Sequence, residues 1–281
     1  MPAAVMGVVN VTPDSFSDGG RFLDPDEAVA HGRALARQGA AVVDVGGESS
    51  RPGARPVPEA EELRRVLPVV RGLAPHVRVS VDTVKPAVAA AAVAAGATLL
   101  NDVAGGLWPV AAELGVGWVA MHMQGTPPTM QHDPRYDDVV AEVHGFLAQR
   151  AARARAAGVA EVWVDPGIGF GKTDAHNLAL LHHLPELVAG GTPVLVGTSR
   201  KGFLGRLAPG PEGAPAPADR RLAGSLATAT WALAAGAAMV RVHDVAPTVQ
   251  AATLVGAVPP PGGAGDAMLA GRGAPAVGRC R

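Results

Sequence analysis

The stretch VRVSVDTVKPAVAAAAVAAG, residues 77–96, shows the pattern that decides the fold. An apolar run, predicted as a strand over residues 77–81, ends at the polar residue Asp82 and leads into a short turn. Pro86 then opens an alanine-rich segment that is predicted as a helix over residues 86–95, because proline is tolerated at the first helical position. Together the strand, turn and helix make one βα unit.

The same unit recurs along the whole chain. Strands are predicted over residues 4–9, 41–45, 77–81, 98–100, 118–121, 161–164, 193–196 and 237–240, and the clearest helices over residues 26–38, 58–73, 86–95 and 137–157. The strands are almost continuously apolar, which is typical of parallel strands covered on both faces. Eight units favour an α/β fold of the (β/α)8 TIM barrel type in a single domain, with an open doubly wound sheet as the less favoured choice.

Composition bounds the location and the partners of the protein. The chain has 281 residues, 48% of them hydrophobic, and a net charge of −1, so it can bury a barrel-sized core and lacks the positive charge of an extended nucleic-acid interface. The apolar runs are short and no signal peptide is recognisable, which predicts a cytoplasmic protein with no membrane contact. The single cysteine, Cys280, excludes internal disulfides and a cysteine-based zinc site.

Two segments fall outside the repeated pattern. Residues 208–219 form a Pro/Gly-rich loop between the seventh strand and its helix, and residues 258–281 form a Pro/Gly-rich tail that is predicted to be disordered. The barrel domain is therefore predicted over residues 1–257.

Polar residues follow every predicted strand. They include Asn10, Glu48 to Arg51, Asp82, Asn101 with Asp102, His122, Asp165, Ser199 to Lys201, and Arg241 to Asp244. Each could be a turn former or a helix cap. All eight lie at the carboxyl rim, where such barrels bind their substrates, and a polar ligand would provide the partners that so many polar groups need.

The chemistry of the rim is mixed. Asp82, Asn101 and Asp165 suit a flat heterocycle that presents adjacent N–H groups, because a carboxylate can accept two parallel hydrogen bonds. The cations Arg51, Lys201 and Arg241, together with His243, suit an anion, and the last two strands are the usual phosphate corner of this fold. No nucleophilic triad or histidine-based metal site is evident, and oxygen ligands such as Asn10 would indicate Mg²⁺ if a metal is bound.

The motifs between residues 5 and 255 resemble those of the dihydropteroate synthase family. The resemblance rests on MGVVNVTPDSFSDGG, DVGGESSRPGA, VSVDTVKP, NDVAGG, MHMQGTPPTMQ, DPGIGFGKT, HNLALL, VLVGTSRKGFLG, GSLATATWA and RVHDV, in this order. It implies that the amine of 4-aminobenzoate displaces pyrophosphate from 7,8-dihydropterin-6-ylmethyl diphosphate, giving 7,8-dihydropteroate for folate synthesis.

The resemblance also assigns roles to individual residues. It implies that the pterin is bound by Asp82, Asn101, Asp165 and Lys201; the diphosphate by Ser50, Arg51, Arg241 and His243; the 4-aminobenzoate by Phe16, Pro52, Phe170 and Ser199; and Mg²⁺ by Asn10. Catalysis would fall to Asp14, Lys201, Arg241 and His243. The family usually has threonine where this chain has Ser50, and serine keeps the hydroxyl group.

The segment after Asn10 is expected to close over the site as a lid that excludes water. Asp14 would then lie near the methylene carbon, where positive charge develops in the transition state. Asp14→Ala is therefore expected to lower turnover far more than pterin affinity, which kinetic and equilibrium binding measurements would separate. Unchanged turnover in this variant would contradict the role, and Asp14 would then be a turn residue after Pro13.

Two lysines and one histidine also lie close to the predicted rim in the sequence. Lys201 is expected to point inward, because Arg200 precedes it and successive side chains alternate. Lys172 could contact the site or could be a solvated loop lysine. His176, with Asn177, is expected to cap or anchor a helix beside the site.

Three other functions stay open at this point. The first is a pterin-binding homologue without synthase activity, and the second is a corrinoid-dependent methyltransferase barrel, which normally needs a cobalamin module or partner. The third is a purely structural or binding barrel. The alanine-rich helix predicted over residues 222–235 could form a homodimer interface, as the resemblance implies, or could simply pack on the barrel.

Overall fold

The computed structural model describes residues 4–12, 24–210 and 213–257. Within these ranges, eight strands alternate with helices. The strands are β1 (Ala4–Asn10), β2 (Val42–Gly46), β3 (Arg78–Asp82), β4 (Leu99–Asp102), β5 (Gly117–Met121), β6 (Val162–Asp165), β7 (Leu195–Val196) and β8 (Met239–Val242).

Helices follow the strands in the described part of the chain. They are α1 (Pro25–Arg37), α2 (Glu59–Leu73), α3 (Pro86–Ala94), α4 (Trp108–Leu114), α5 (Val139–Ala156), α6 (Asp174–His182), α7 (Leu184–Ala189), α8 (Gly202–Leu207), α9 (Leu222–Ala234) and α10 (Val245–Ala257). Side chains cap several of their amino ends. Asp24 and Asp138 accept backbone N–H bonds at the starts of α1 and α5, and Thr173 and His176 form a reciprocal capping box on α6.

The strands form a nearly closed parallel barrel. Their order in the sheet is β6-β5-β4-β3-β2-β1-β8-β7, and every pairing between named strands is parallel. A further parallel bridge, Val164 to Val194, joins β6 to the segment that enters β7 and brings the two ends of the sheet together. The (β/α)8 prediction is confirmed, and the open doubly wound alternative is wrong.

Most observed strands end later than the sequence predicts. Strands β1, β3 and β6 include the polar residues Asn10, Asp82 and Asp165 as their last residues, and β4 and β8 run through Asp102 and Val242. The reason is that the parallel ladder uses backbone groups and continues past the point where side chains change from apolar to polar. The rim residues are therefore held on strands rather than on loops.

The apolar core has two parts. A small cluster inside the barrel contains Met6, Val42, Leu99, Val119, Leu195 and Met239, and a larger one lies between the barrel and its helices. Side chains alternate along each strand, so one set points into the barrel and the next toward the helices. Asp44 therefore points inward together with Val42 on β2.

Polar and charged side chains at the amino end of the barrel form hydrogen bonds with one another. Arg78 donates two hydrogen bonds to the carboxylate of Glu161, at 2.9 and 2.5 Å, and the indole Nε1 of Trp163 donates to the same carboxylate at 2.8 Å. Such internal pairing is typical of the stabilising end of this fold. It leaves the carboxyl rim as the candidate site.

The two irregular segments are only partly described. Residues 208–210 and 213–217 are irregular, as predicted, but α8 and a 3₁₀ turn at Ala218–Arg220 also lie between β7 and α9. The predicted tail over residues 258–281 lies outside the described residues, so the domain boundary at residue 257 stays a prediction. None of the described helices is long and apolar enough to cross a membrane.

Candidate active site

Four neighbouring strands place residues at or next to their carboxyl ends in one row. In the ladder, Asn10 pairs with Gly46, Gly46 with Asp82, and Asp82 with Asn101. A Cβ built on Gly46 would lie 3.7 Å from Asn10 Oδ1 and 3.6 Å from Asp82 Cβ, so both side chains border the space above this glycine. The amide of Asn10 and the carboxylate of Asp82 therefore face one opening.

Arg241 crosses the barrel to reach this row. From β8, its Nε donates to Asp44 Oδ2 at 2.7 Å and its Nη2 donates to Asp82 Oδ2 at 2.9 Å. Asn101 Nδ2 donates to the same Asp44 oxygen at 2.9 Å. Burial raises the pKa of Asp82 to about 7; the nearby Asp44 carboxylate adds to this rise, and Arg241 opposes it.

Asp165 lies on the opposite wall, at the end of β6. Its Oδ1 accepts the backbone N–H of Gly167 at 2.7 Å. Its Oδ2 lies 3.9 Å from the position that a Cβ on Gly197 would occupy, and Arg241 Cβ lies 3.7 Å from the same position. Burial raises the pKa of Asp165, and the charge of Lys201 opposes this rise. Asp165, Lys201 and Arg241 therefore share one cup.

Lys201 extends over the loop that follows β6. Its Nζ donates to the backbone carbonyl of Ile168 and lies 4.4 Å from the centre of the Phe170 ring, a cation–π distance. Burial lowers the pKa of Lys201 to about 8, and the Asp165 carboxylate opposes the fall. Lys201 is thus a charged donor beside a carboxylate and an aromatic face at neutral pH.

The preceding residue points the other way. Arg200 has a φ of 57°, which is rare for a residue with a side chain, and its Nη2 pairs with Asp244 Oδ1 at 2.6 Å. The positive φ reverses the backbone at Arg200, so that the two successive cations separate. Lys201 reaches the cup as predicted, whereas Arg200 pairs with Asp244 and lies near enough to His243 for its charge to act on that histidine.

His243 and Ser199 join β8 to the loop after β7. The backbone N–H of His243 donates to Ser199 Oγ at 3.1 Å, and the same hydroxyl lies 3.0 Å from His243 Nδ1. Burial lowers the pKa of His243 to about 3, and the charges of Arg200, Arg241 and Arg51 lower it further. Without a bound anion His243 is therefore a neutral N–H donor at pH 7, rather than a cation.

The comparisons with known proteins agree with this arrangement. The sequence model described as "Pterin binding enzyme" matches residues 6–243. A dihydropteroate synthase from Mycobacterium leprae is 50% identical to the chain over 265 residues, which cover 91% of this chain and 93% of the relative. The chain belongs to the dihydropteroate synthase family.

Solved structures of this family share the barrel. The Yersinia pestis dihydropteroate synthase in complex with a sulfonamide drug has a TM-score of 0.86 at 46% identity, covering 91% of this chain and 94% of that one. The Xanthomonas albilineans dihydropteroate synthase with 4-aminobenzoic acid has a TM-score of 0.82 at 50% identity, covering 92% and 94%. At these identities the likeness extends beyond the fold.

The structure brings together most of the residues that the family resemblance assigns. Asp82, Asn101, Asp165, Lys201, Arg241, His243, Ser199, Phe170 and Asn10 all lie around the carboxyl rim. Asp14 and Phe16, with the predicted lid, lie outside the described residues. Their roles, like every individual role in the assignment, stay predictions.

The loop between β2 and α2 carries Ser50, Arg51 and Pro52. Arg51 lies near enough to His243 for its charge to lower the pKa of that histidine, which places it at the anion side of the rim. Pro52 is exposed, and the next residue, Gly53, donates its N–H to Pro127 O at 2.9 Å. This loop therefore reaches across to the loop after β5.

Some polar residues at the strand ends already have hydrogen-bond or ion-pair partners within the protein. The carboxylate of Asp102 accepts the N–H groups of Ala104, Gly105 and Leu107, and the Nε1 of Trp118, and it is fully buried. Glu48 pairs with Lys85, which also contacts the buried Glu62. The expectation that a ligand provides partners for all eight strand ends is therefore wrong for these carboxylates, which fold the loops behind the rim.

Sequence reasoning missed Asp44 and left two interpretations of Lys172 open. Asp44 lies in the middle of β2 and is fully buried, although a single acid within the run VVDVG is itself a sign of a buried partner. Lys172 is 1% exposed, so the interpretation of a solvated loop lysine is wrong. Its Nζ donates to the backbone carbonyls of His122, Gly167 and Phe170 at 3.0–3.3 Å and lies 3.0 Å from His122 Nδ1.

Lys172 fixes the loop that presents Phe170, because its amine joins the end of β5 to this loop. Lys172→Met keeps most of the apolar part of the side chain and leaves buried carbonyls without a donor, at ~1–3 kcal/mol each. We expect a loss of unfolding free energy of about 3 kcal/mol and a KM for 4-aminobenzoate about 10-fold higher, measured by urea unfolding and steady-state kinetics.

The matched control is Gln131→Ala, which removes an exposed hydrogen bond of 2.7 Å to Gly169 O in the same loop. Its stability is expected to change by less than about 1 kcal/mol. A Lys172→Met enzyme with wild-type stability and KM would contradict the role of Lys172.

Proposed function

We propose that this chain is a dihydropteroate synthase. It transfers the 7,8-dihydropterin-6-ylmethyl group from its diphosphate ester to the amine of 4-aminobenzoate, and it releases pyrophosphate. The single observation that carries the proposal is the convergence of Asp165, Lys201 and Arg241 in one cup. Family membership at 50% identity to a named dihydropteroate synthase supports it.

Carboxylate and amide groups from both sides of the cup bind the pterin. Asp165 accepts two parallel hydrogen bonds from the 2-amino group and the N3–H of the pterin, an arrangement that a carboxylate accommodates well. Asp82 and Asn101 contact the heterocycle from β3 and β4, and Lys201 donates to an acceptor on its edge. Burial of these groups strengthens each interaction, because water competes less.

Cationic and hydroxyl side chains bind the leaving group. Arg51, Arg241, His243 and Ser50 bind the diphosphate, and the cationic charge stabilises the electrons that it takes up. In the reaction, the amine nitrogen forms a bond to the methylene carbon, the bond from that carbon to the diphosphate oxygen breaks, and the nitrogen loses one proton to water. The positioning of both partners and the stabilisation of charge provide the rate enhancement.

Asn10 is the residue that we assign to Mg²⁺. Mg²⁺ in protein sites often has one or two protein oxygens and completes its octahedron with water and substrate phosphates. The donor set fits, because Asn10 Oδ1 and Asp82 border the same space above Gly46. The described residues contain no cluster of three His, Cys, Asp or Glu side chains that would hold the ion without phosphate. When bound, Mg²⁺ neutralises charge on the diphosphate.

One assay tests the function. The protein is incubated with the pterin diphosphate, 4-aminobenzoate and Mg²⁺, and 7,8-dihydropteroate and pyrophosphate are measured. Equal amounts of both products, and their loss on chelation of Mg²⁺, are expected. Pterin binding without product would support the alternative, a pterin-binding homologue that lacks synthase activity. A sulfonamide is expected to compete with 4-aminobenzoate, as the Yersinia pestis complex suggests.

A homodimer and a cytoplasmic location complete the proposal. On α9, Leu222 is 41% exposed and Trp231 is 56% exposed, and Leu254 on the adjacent α10 is 69% exposed. A second copy of the chain would cover these apolar groups. Light scattering on the purified protein is expected to give twice the mass of the chain, and Trp231→Glu is expected to give monomers.

A further inference from the structure

Two carboxylates bind Arg241, and they differ in depth. Asp44 lies two residues below the rim row on β2, with its side chain 0% exposed, whereas the side chain of Asp82, in the row itself, is 11% exposed. The side chain of Arg241 is 22% exposed. A ligand that enters from the carboxyl rim meets Asp82 first, and Asp44 lies beneath it.

The hydrogen bonds of Asp44 are concentrated on one oxygen. Its Oδ2 accepts from Arg241 Nε and from Asn101 Nδ2, whereas Oδ1 has no hydrogen-bond partner among the residues that the structure describes. Burial of a charge with an unsatisfied oxygen is costly, and buried ion pairs contribute little net stability. The placement of Asp44 is therefore better explained by what it does to Arg241 and Asn101 than by stability.

Asp44 controls two orientations. Because the Nδ2 of Asn101 is bound to Asp44, the carbonyl oxygen of that amide is turned away from Asp44. The Nε of Arg241 is bound to Asp44. The guanidinium therefore keeps a counterion even when the bond from its Nη2 to Asp82 is broken. The bond of Nη2 to Asp82 can then break without leaving a buried cation unpaired.

We propose that Asp44 is a positioning residue that serves as the fixed counterion of Arg241, so that Asp82 can exchange its bond with Arg241 for a bond to the pterin. This inference rests on the proposed function. Burial together with the Asp44 charge raises the pKa of Asp82, which is consistent with an Asp82–Arg241 bond that is weak enough to be exchanged.

Removal of the Asp44 charge is expected to strengthen the bond between Asp82 and Arg241. Asp82 then becomes the nearest carboxylate partner of Arg241, the pair tightens, and the pterin must displace a buried ion pair to reach Asp82. Asp44→Asn is the best variant, because it keeps the shape of the side chain and an acceptor for Asn101. Asp44→Ser removes the same charge and provides a second determination.

The test is a double-mutant cycle with Arg241→Met, read out as the Kd of 7,8-dihydropteroate by calorimetry. Asp44→Asn is expected to weaken binding about 10-fold in the wild-type background and less than about 2-fold in the Arg241→Met background. The KM for 4-aminobenzoate is expected to stay within about 2-fold of wild type. Ser80→Ala is the control, because Ser80 pairs with Asp44 in the ladder and is equally buried.

Two results would overturn the inference. One is wild-type affinity in both Asp44 variants, and the other is an equal loss in the two backgrounds, which would show that Asp44 does not act through Arg241. A wild-type protein that neither binds 7,8-dihydropteroate nor forms it would instead overturn the proposed function, and this inference with it.

Discussion

Asp165→Ala is expected to reduce kcat/KM for the pterin diphosphate by about 10³-fold, because two charge-assisted hydrogen bonds of ~2 kcal/mol each are lost. The effect should appear mainly as weaker pterin binding, since Asp165 is assigned to the 2-amino and N3–H edge of the pterin. Steady-state kinetics with each substrate varied in turn, and calorimetry with 7,8-dihydropteroate, measure it. The KM for 4-aminobenzoate is expected to change little.

Asp102→Asn is the matched control for this variant. Asp102 is also a buried carboxylate at a strand end, but its oxygens bind backbone N–H groups and Trp118 behind the rim. We expect a loss of stability with kcat/KM within about 3-fold of wild type. An Asp165→Ala enzyme as active as the Asp102→Asn control would contradict the assignment of Asp165.

Lys201→Ala is expected to weaken pterin binding about 10²-fold, because the site loses a buried charged donor and Asp165 loses its nearby cation. The wild-type enzyme provides an independent readout. Burial lowers the pKa of Lys201 to about 8, so the ammonium loses its proton and pterin affinity falls as the pH rises through 8. The Lys201→Ala variant is expected to lack this fall.

Near-normal pterin affinity in Lys201→Ala would contradict the role of Lys201. So would an unchanged alkaline fall in the variant, because another group would then be titrating. Lys201→Arg adds a third comparison. It keeps the charge but replaces a compact donor with a planar fork, and it is expected to restore affinity only in part.

The sequence predicts the fold well because βα units are local. Each strand, turn and helix is encoded within about thirty residues, and the parallel arrangement follows from the apolar character of the strands. The carboxyl rim follows as well, since the polar residues stand directly after these strands. The exact ends of the strands cannot be predicted from the sequence. The backbone ladder continues through Asn10, Asp82 and Asp165, although their side chains are polar.

The sequence does not predict how the polar side chains pair. Asp44 and Arg241 are 197 positions apart, and they meet only because β1 pairs with both β2 and β8 in the nearly closed barrel. Lys172 turns inward because its loop is held against His122, which no local pattern reveals. For the same reason the sequence does not show that Asp102 and Asp82 differ. In the structure, Asp102 accepts hydrogen bonds from its own loop, whereas Asp82 faces the opening.

A crystal structure of the protein with bound 7,8-dihydropteroate tests the central claim most directly. We expect the pterin inside the barrel mouth, with its 2-amino and N3–H edge on Asp165, Lys201 beside it, and Asp82 bound to the pterin rather than to Arg241. A pterin bound elsewhere on the molecule, or bound at the rim with no contact to Asp165 and Lys201, would contradict it.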